Sequence, residues 1–256
     1  ISSGLVGSEM CIRDSPSGGG TPSTDCLEMF FDAPSVNVIA EDDNGIKWIG
    51  TNSGIALFDG NAFVHYDHTN TNLPAGTRVI DIDFDNAGNA WLSSQHGLIK
   101  FDGINWTFHC SGEGIRNAAV DATNNVWIAK PDGELAKFDG TEWAFWSPQN
   151  SPLPNGNIKT LFAHQSELWI GTDGLGALKF DGANWQTFTT GNSGLPSNLI
   201  NAISADTAGN VLFGTNNGLA IKNDTGWVVH DMSSNGFPNN NISSITVTPN
   251  NEYWIG

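Results

Sequence analysis

The sequence predicts an all-β fold, a β-propeller built from four-stranded blades. Three observations support this prediction: a tryptophan-centred phrase that returns along the chain, a period of about 42 residues, and short apolar runs separated by Gly, Asn, Asp and Pro. A repeat of roughly 40 to 45 residues is typical of propeller blades. Solenoids of paired helices have similar periods, but none of these runs is long enough for a stable helix.

The repeated phrase reads "WIGTNSGIALFDG" in its first copy, and its tryptophan marks each later copy. This position is occupied in turn by Trp48, Trp91, Trp127, Trp169, Leu212 and Trp254. The steps between these positions are 43, 36, 42, 43 and 42 residues. We therefore predict five full blades and part of a sixth, at about residues 36–68, 77–109, 115–147, 157–190, 199–231 and 242–256.

Each copy contains four runs that are typical of strands, which in the fourth copy are "NIKTLFA", "ELWIGT", "ALKFDG" and "WQTFTT". The first run carries apolar residues three positions apart, such as Val79 and Ile82. This spacing indicates either a β-bulge or a strand packed on both faces. We favour the second explanation, because the innermost strand of a propeller blade lies between two neighbouring blades.

The turns and aromatic residues complete the predicted blade. The words "DDNG", "NAGN" and "TAGN" place Asn and Gly where a hairpin needs positive φ, and "FDG" predicts a second hairpin turn. We expect each repeat tryptophan to fill the gap between blades and to bury roughly 150–250 Å². The aromatic residue of the fourth run should do the same near the outer edge, at Phe63, Trp106, Trp143, Trp185 and Trp227. Trp146 lies outside this register and is a candidate surface platform.

Composition argues against several classes of function. The chain has 256 residues and a net charge of −17, and its ten Lys and Arg residues form no basic stripe. A nucleic-acid partner and an anionic membrane surface are therefore not expected. No run of 18 apolar residues exists, so we predict no membrane insertion within this chain. The acidity favours solubility, and it favours cationic or neutral ligands.

The two ends differ from the repeats. Residues 1–31 are predicted to be a flexible or artefactual leader, and "GLVGSEMCIRDS" within them resembles a translated sequencing adapter. The propeller is assigned to residues 32–256, and because "NEYWIG" opens another copy, we expect a truncated ring of six to eight blades. The alternative is that terminal half-blades complete each other. Cys11, Cys26 and Cys110 are odd in number and contain no CxxC, so neither a disulfide framework nor a zinc site is predicted.

The phrase "LPSNLINAISADTAGNVLFGTNNGLAI" resembles the two-component-regulator propeller repeat, through Leu195-Pro196, Asp206 and Gly214-Thr215. The resemblance covers residues 36–256, although the third copy lacks Leu-Pro and the fifth lacks both the tryptophan and "FDG". It implies a periplasmic or extracellular sensor of a hybrid histidine kinase, often one that recognises glycans, and it admits a homodimer of the full-length protein. The alternatives are a secreted non-catalytic binding or adhesion propeller and, less favoured, a propeller hydrolase or lyase.

A ligand site is expected where two sets of loops meet. If the first run is innermost, the loop before it and the loop after "WIGT" share one face around the axis. These loops are rich in Asn, Ser, Thr and Asp, which suits a polar small molecule or a glycan. Residues that differ between copies are the candidate ligand-binding residues: Arg78, His96, Lys130, Asp132, Lys159 and Asp173. The alternative is that each of them is an ordinary solvated loop residue.

Other chemistry has weaker support in the sequence. The stretch "DIDFDNAGN" resembles a calcium loop but lacks the terminal bidentate acid, so an Asx-type turn is favoured. His65 and His68 have no third metal ligand in the sequence pattern. No nucleophile elbow or Walker loop occurs, and an enzyme would have to use His96 with Asp132 or Asp173. We therefore predict no catalytic residue, no metal and no cofactor.

Overall fold

The computed structural model describes residues 35–110, 114–154, 158–237, 239–248 and 250–256, so the predicted leader lies outside the described residues. The described chain forms five four-stranded antiparallel sheets and one two-stranded sheet, each built from consecutive strands. In the described residues the only helix is the short α1, Met232–Asn235. The predicted all-β propeller, with five full blades and a partial sixth, is confirmed.

The strands follow one another in the order of the repeats. Blade 1 contains β1 Val36–Glu41, β2 Lys47–Thr51, β3 Gly54–Phe58 and β4 Phe63–Tyr66. Blade 2 contains β5 Val79–Phe84, β6 Ala90–Ser94, β7 Gly97–Phe101 and β8 Trp106–His109. Blade 3 contains β9 Asn117–Val120, β10 Val126–Ala129, β11 Leu135–Phe138 and β12 Trp143–Trp146. Blade 4 contains β13 Ile158–His164, β14 Glu167–Thr172, β15 Ala177–Phe180 and β16 Trp185–Phe188. Blade 5 contains β17 Ile200–Ala205, β18 Val211–Thr215, β19 Gly218–Asn223 and β20 Gly226–His230, and β21 Ile245–Val247 and β22 Tyr253–Ile255 form the two-stranded sheet.

The first strand of each blade is the innermost one. Strands β1, β5, β9, β13, β17 and β21 contact one another in this order, and the fourth strands lie at the opposite edge of each sheet. The strand register shifts between the first and third residues of β1, β5, β13 and β17. A β-bulge therefore accounts for the apolar spacing of three, because it turns Val79 and Ile82 towards the same core. Each of the inner strands β5, β9, β13 and β17 also contacts the inner strands of both neighbouring blades, so the bulge and the two-sided packing occur together.

The repeat tryptophans fill the gaps between blades, as predicted. Four of them are buried: Trp48, Trp91, Trp127 and Trp169. In the first three blades the indole meets the third-strand phenylalanine of the next blade, with ring centroids 6.0 Å apart for Trp48 and Phe101. Trp169 instead makes an edge contact with Phe213 at 5.4 Å. Trp254 is 66% exposed, since no further blade follows it in the described part of the chain.

Each of the first three tryptophans is also tied to an aspartate six residues earlier. The Nε1 atoms of Trp48, Trp91 and Trp127 donate to the Oδ2 atoms of Asp42, Asp85 and Asp121, at 3.0 Å in each case. In blade 2 the other oxygen, Asp85 Oδ1, accepts the backbone N–H groups of Ala87 and Asn89. The stretch that resembles a calcium loop is therefore an Asx-type turn whose carboxylate also anchors the buried indole.

Blades 4 and 5 depart from this pairing in opposite ways. In blade 4 the residue six positions before Trp169 is Ala163, and the buried Trp169 Nε1 has no hydrogen-bond partner among the described residues. In blade 5 Leu212 replaces the tryptophan, and Asp206 accepts a hydrogen bond of 2.6 Å from the Tyr253 hydroxyl. This hydrogen bond raises the pKa of Tyr253 to about 12.

The outer aromatic residues follow the prediction in part. All are half-buried, and in blades 1 to 4 they stack on the third-strand phenylalanine of their own blade, as Trp106 does on Phe101 at 4.3 Å. Trp106 also contacts Tyr66 of blade 1, and Trp227 contacts Phe188 of blade 4, so these two lie between blades as predicted. Trp146 is also half-buried, with its ring 5.3 Å from Trp127 and 5.4 Å from Phe180. Its interpretation as a surface platform was wrong, because the residue three positions after the outer aromatic of each blade turns towards the core.

Two carboxylates join blade 2 to blade 3. Asp83 Oδ2 accepts the backbone N–H of Val120 at 2.7 Å, and Asp81 Oδ2 accepts that of Ala118 at 3.3 Å. Both N–H groups lie on the inner strand β9, which carries no further strand at that edge. Burial raises the pKa of Asp81 to about 7 and that of Asp83 to about 6, and the neighbouring Asp83 charge adds to the shift at Asp81.

The indole–aspartate hydrogen bond can be tested by one substitution made at two positions. We expect Trp91→Phe to reduce the free energy of unfolding by about 1 to 2 kcal/mol more than Trp169→Phe, because only the first removes a hydrogen bond to a carboxylate. Both side chains are buried, so the loss of ring volume is matched. Equilibrium urea unfolding measures the difference, and equal losses would contradict the role given to Asp85.

The Asp81 and Asp83 carboxyls predict an unusual dependence of stability on pH. Their folded-state pKa values lie above the ordinary value of 3.8, so the folded chain holds these protons more tightly than the unfolded chain does. Their contribution to stability is therefore present at acidic pH and is lost as the pH rises through about 6 to 7. Urea unfolding between pH 5 and pH 8 should show a flatter profile for the double variant Asp81→Asn, Asp83→Asn than for the parent chain. Parallel profiles would show that these carboxyls titrate normally.

Candidate functional site

Two sets of loops meet at one end of the propeller. We call the loop before a blade's first strand its leading loop, the loop between its second and third strands its middle loop, and the face that they share the loop face. The backbone N–H of Ile115 donates to Ser94 O at 2.8 Å, and that of Ile242 donates to Thr215 O at 2.8 Å. The end of each of these second strands thus bonds to the start of the next blade, as the predicted arrangement requires.

Arg78 and His96 belong to blade 2, and both contact the side chain of Gln95. The Gln95 Oε1 atom accepts the backbone N–H of Arg78 at 2.7 Å, and its Nε2 atom donates to Gly76 O at 2.7 Å. The same Nε2 lies 3.0 Å from His96 Nε2, while the His96 backbone N–H donates to Ser94 Oγ. The Gln95 amide therefore connects the leading and middle loops of this blade and positions both candidate residues.

Lys130 and Asp132 share the middle loop of blade 3. The Lys130 ammonium forms an ion pair of 2.6 Å with Glu134 and lies 5.3 Å from the centre of the Phe145 ring. Asp132 Oδ1 accepts the backbone N–H of Glu134 at 3.0 Å. Both residues thus take part in fixing the loop itself, and the Lys130 charge is neutralised by its neighbour.

Lys159 and Asp173 belong to blade 4 and reach towards blade 5. Lys159 Nζ donates to Asn201 Oδ1 at 2.9 Å. Asp173 forms an isolated β-bridge with Leu199, and the neighbouring Asn198 O accepts the N–H groups of Gly174 and Gly176. This junction leaves the exposed Asp173 side chain at the rim of the loop face.

The structure places all six predicted residues on the loop face of blades 2 to 4, but it does not gather them into one cluster. Within the described ranges, no hydrogen bond or ion pair joins His96 to Asp132 or Asp173, so the pairing that an enzyme would need is not formed. Sequence reasoning missed Gln95, Asn198 and Asn201. Gln95 and Asn198 stand in loops that the sequence shows to be polar, and Asn201 stands near the start of β17. Only the fold shows which of these amides connect neighbouring segments.

The opposite end of the propeller, which we call the turn face, carries the acidic repeats. It holds the hairpins between first and second strands and the turns between third and fourth strands, with Asp42, Asp59, Asp85, Asp102, Asp121, Asp139, Asp181 and Asp206. Their carboxylates accept backbone N–H groups. At Asp139 the N–H groups of Glu142 and Thr141 lower the pKa to about 2. Much of the negative charge of the chain therefore has a structural role far from the loop face.

A shallow groove of about 390 Å³ lies elsewhere, at the outer edge between blades 1 and 2, beside Tyr66, Ile104 and Trp106. Its amides are engaged within the protein, since Asn72 Nδ2 donates to Trp106 O and Asn105 Nδ2 donates to Asp102. This groove thus offers few unpaired polar groups for a ligand, and it does not displace the loop face as the candidate site.

The described residues also bear on two other possibilities, a metal site and a membrane-spanning helix. Among them, no group of three or more His, Cys, Asp and Glu side chains is placed to hold a metal ion. No helix in the described ranges is long and apolar enough to span a membrane.

Comparison with known proteins places the fold among solved propellers. The chain is similar to the extracellular domain of the hybrid two-component system BT3049 from Bacteroides thetaiotaomicron, with 21% identity and a TM-score of 0.73 over 87% of this chain and 32% of that one. It is also similar to virginiamycin B lyase from Staphylococcus aureus, with 13% identity and a TM-score of 0.68 over 86% and 76% of the two chains. A third likeness is to PorZ, a surface component of the type IX secretion system of Porphyromonas gingivalis, with 14% identity and a TM-score of 0.65 over 90% and 40%. No family model and no curated protein matches the chain.

These likenesses show the fold. At 21% identity or less, they cover an extracellular domain of a two-component system, a lyase and a secretion-system component with the same architecture. The chain spans about a third of the BT3049 domain, so it corresponds to part of that longer protein. The structure and the comparisons together establish that this chain is a β-propeller of antiparallel four-stranded blades.

The bridging role of Gln95 gives a local prediction. We expect Gln95→Ala to speed amide hydrogen exchange at Arg78, whose N–H loses its acceptor, while the free energy of unfolding falls by less than about 1 kcal/mol. Native-state exchange followed by NMR measures both quantities. The Ile115 amide, which bonds to the Ser94 carbonyl, is the internal control. Unchanged exchange at Arg78 would show that its N–H does not depend on Gln95.

Proposed function

We propose that this chain is a ligand-sensing propeller module that works outside the cytoplasm and binds a polar ligand, such as a glycan, on its loop face. One observation carries the proposal. The residues that repeat from blade to blade are buried or engaged in internal hydrogen bonds, whereas polar side chains that differ between blades, including Arg78, Lys159 and Asp173, are exposed around the loop face. Such side chains are available to a ligand without a cost to the fold.

The proposed setting draws on the solved structures that share the fold. The solved BT3049 and BT4673 structures are described as extracellular domains of hybrid two-component systems from the same bacterium, and each aligns with more than four-fifths of this chain. We infer from this likeness a periplasmic or extracellular location and a role in signalling. Any kinase would lie in another part of a longer protein, so the described propeller is proposed to be non-catalytic.

A secreted binding or adhesion propeller is the second candidate. Its support is the likeness to PorZ, which is a bacterial surface component. A hydrolase or lyase has less support. Although virginiamycin B lyase shares the fold, the candidate histidine and carboxylates of this chain are not joined in the described residues. Sequencing the intact locus separates the first two candidates, since a sensor requires a membrane span and a kinase while a secreted protein requires an export tail.

Binding on the loop face is tested with two single variants. We expect Asp173→Ala and His96→Ala each to weaken binding of the best saccharide from a glycan panel by about tenfold, which corresponds to about 1.4 kcal/mol. The urea midpoint should stay unchanged, because Asp173 is exposed and, among the described residues, the half-buried His96 ring forms a hydrogen bond only with the exposed Gln95 side chain.

Asp224→Ala is the matched control, since this exposed aspartate lies on the turn face between β19 and β20. Full affinity in both loop-face variants, or an equal loss in the control, would show that the ligand binds elsewhere. The enzymatic alternative is tested by incubating the saccharide with the parent chain and analysing the products. If the saccharide is cleaved and His96→Ala abolishes the cleavage, the chain is an enzyme and the proposal of a non-catalytic sensor is wrong.

A further inference from the structure

The following inference rests on the proposed function and names the chemistry of its ligand. We propose that the loop face binds an anionic saccharide, carrying carboxylate or sulfate groups, through Arg78, Arg116 and Lys159. These three cations stand at the starts of the inner strands of three consecutive blades. Arg116 was not among the residues singled out by the sequence.

Position in the fold brings these side chains near the axis. Arg78 directly precedes Val79, and Arg116 and Lys159 directly follow Ile115 and Ile158. Their apolar neighbours anchor the three inner strands, since Val79, Ile115 and Ile158 are at most 1% exposed. The three cations are themselves exposed. Three positive charges therefore follow an arc around the axial end of the loop face, on backbone that is fixed by buried residues.

Most other cations of the described chain already have partners. Lys47, Lys130 and Lys179 pair with Glu41, Glu134 and Glu167. Lys100 and Lys137 lie over the rings of Trp91 and Trp127.

By contrast, no ion pair engages Arg78, Arg116 or Lys159 within the described ranges, and Lys159 donates only to the neutral Asn201 amide. Their charge is available to an anion. The remaining cation, Lys222, stands near the turn-face end of β19.

Part of the net charge of −17 comes from the repeated aspartates, which lie far from these three cations. The repeated aspartates occupy the turn face, which is separated from the loop face by the length of an inner strand such as β5, or about 20 Å for six residues. The Debye length is about 8 Å at physiological ionic strength, so those carboxylates are largely screened from the loop face. The loop face itself also carries Asp132 and the exposed Asp173. The composition-based expectation of a cationic or neutral ligand stays a prediction.

The surrounding groups favour a saccharide over a bare anion. Guanidinium and ammonium groups form charge-assisted hydrogen bonds with carboxylate and sulfate oxygens. Beside them lie the Gln95 and Asn201 amides, and Asn201 Nδ2 already donates to Ile242 O at 2.8 Å, which fixes its orientation. Each of these amide oxygens accepts one hydrogen bond within the protein, from the Arg78 N–H or from Lys159 Nζ, and keeps a second lone pair that can accept a saccharide hydroxyl.

The test compares matched saccharides that differ only in charge. One arm uses oligogalacturonate and its methyl ester, and the other uses dextran sulfate oligosaccharide and dextran, each titrated calorimetrically at about 20 and about 200 mM NaCl. The proteins are the parent chain, the double variant Arg116→Gln, Lys159→Gln, the loop-face variant Asp173→Ala and the control Lys222→Gln.

We expect at least one acidic saccharide to bind about tenfold or more tightly than its neutral partner, with affinity that falls at the higher salt concentration. The double variant should lose about tenfold or more in affinity for the acidic saccharide only, whereas Lys222→Gln should bind as the parent does. The arm that shows the preference identifies the anionic group as carboxylate or sulfate.

The remaining outcomes separate this inference from the proposed function. Equal binding of acidic and neutral partners, or an equal effect of the double variant and Lys222→Gln, would overturn the anionic ligand. If such binding still depended on Asp173, the proposed function would stand. A parent chain that binds no saccharide in either arm or in the glycan panel would overturn both.

Discussion

The hydrogen bond from a buried indole to the first-hairpin aspartate of its own blade is the interaction on which the architecture depends. The same carboxylate closes the hairpin and holds the tryptophan, and the tryptophan packs against the next blade. Local turn geometry and contact between blades are therefore coupled through one side chain. The two exceptions support this view. Blade 4 has no aspartate to accept the Trp169 indole, and the buried Trp169 N–H is left without a partner among the described residues. Blade 5 has no tryptophan at this position, and its Asp206 accepts a hydrogen bond from the Tyr253 hydroxyl instead.

This coupling also distributes the charge of the molecule. The first hairpins of blades 1, 2, 3 and 5 and the "FDG" turns of blades 1 to 4 each use an aspartate, so the repeats place carboxylates at the turn face whatever the ligand is. This part of the net charge reflects the turns of the repeat and not the chemistry of the loop face. The charges at the loop face do not repeat, and they include the cations Arg78, Arg116 and Lys159 and the carboxylates of Asp132 and Asp173.

Much of the fold could be read from the sequence because its determinants are local and recur. The spacing of the tryptophans gave the blades, and positive φ at Gly45, Gly88 and Gly209 followed from the turn words. What failed were the features that depend on neighbouring blades. The sequence around Trp146 does not distinguish it from an exposed aromatic residue, because its burial depends on Phe180 of the adjacent blade. The raised pKa of Asp81 also depends on a neighbouring blade, because it results from burial between blades 2 and 3. The sequence around Asp81 is typical of a polar turn and does not predict this burial. For the candidate site, sequence predicted the face but not Arg116, whose importance depends on its place beside the axis.

The departures from the repeat converge on one part of the ring. In blades 1, 4 and 5 the second residue after the tryptophan position is glycine, where an added Cβ would lie 2.8 Å from the first inner residue of the next blade, as at Gly50 against Val79. Blades 2 and 3 carry Ser93 and Ala129 at this position, so the following inner strands cannot approach in the same way. The inner strand β9, which follows Ser93, is also shorter and is held by Asp81 and Asp83 in place of close packing. Of the three cations without an ion pair in the described chain, Arg78 and Arg116 belong to blades 2 and 3, and Lys159 lies on the inner strand that follows Ala129. The close packing of inner strands is therefore relaxed beside the proposed ligand site.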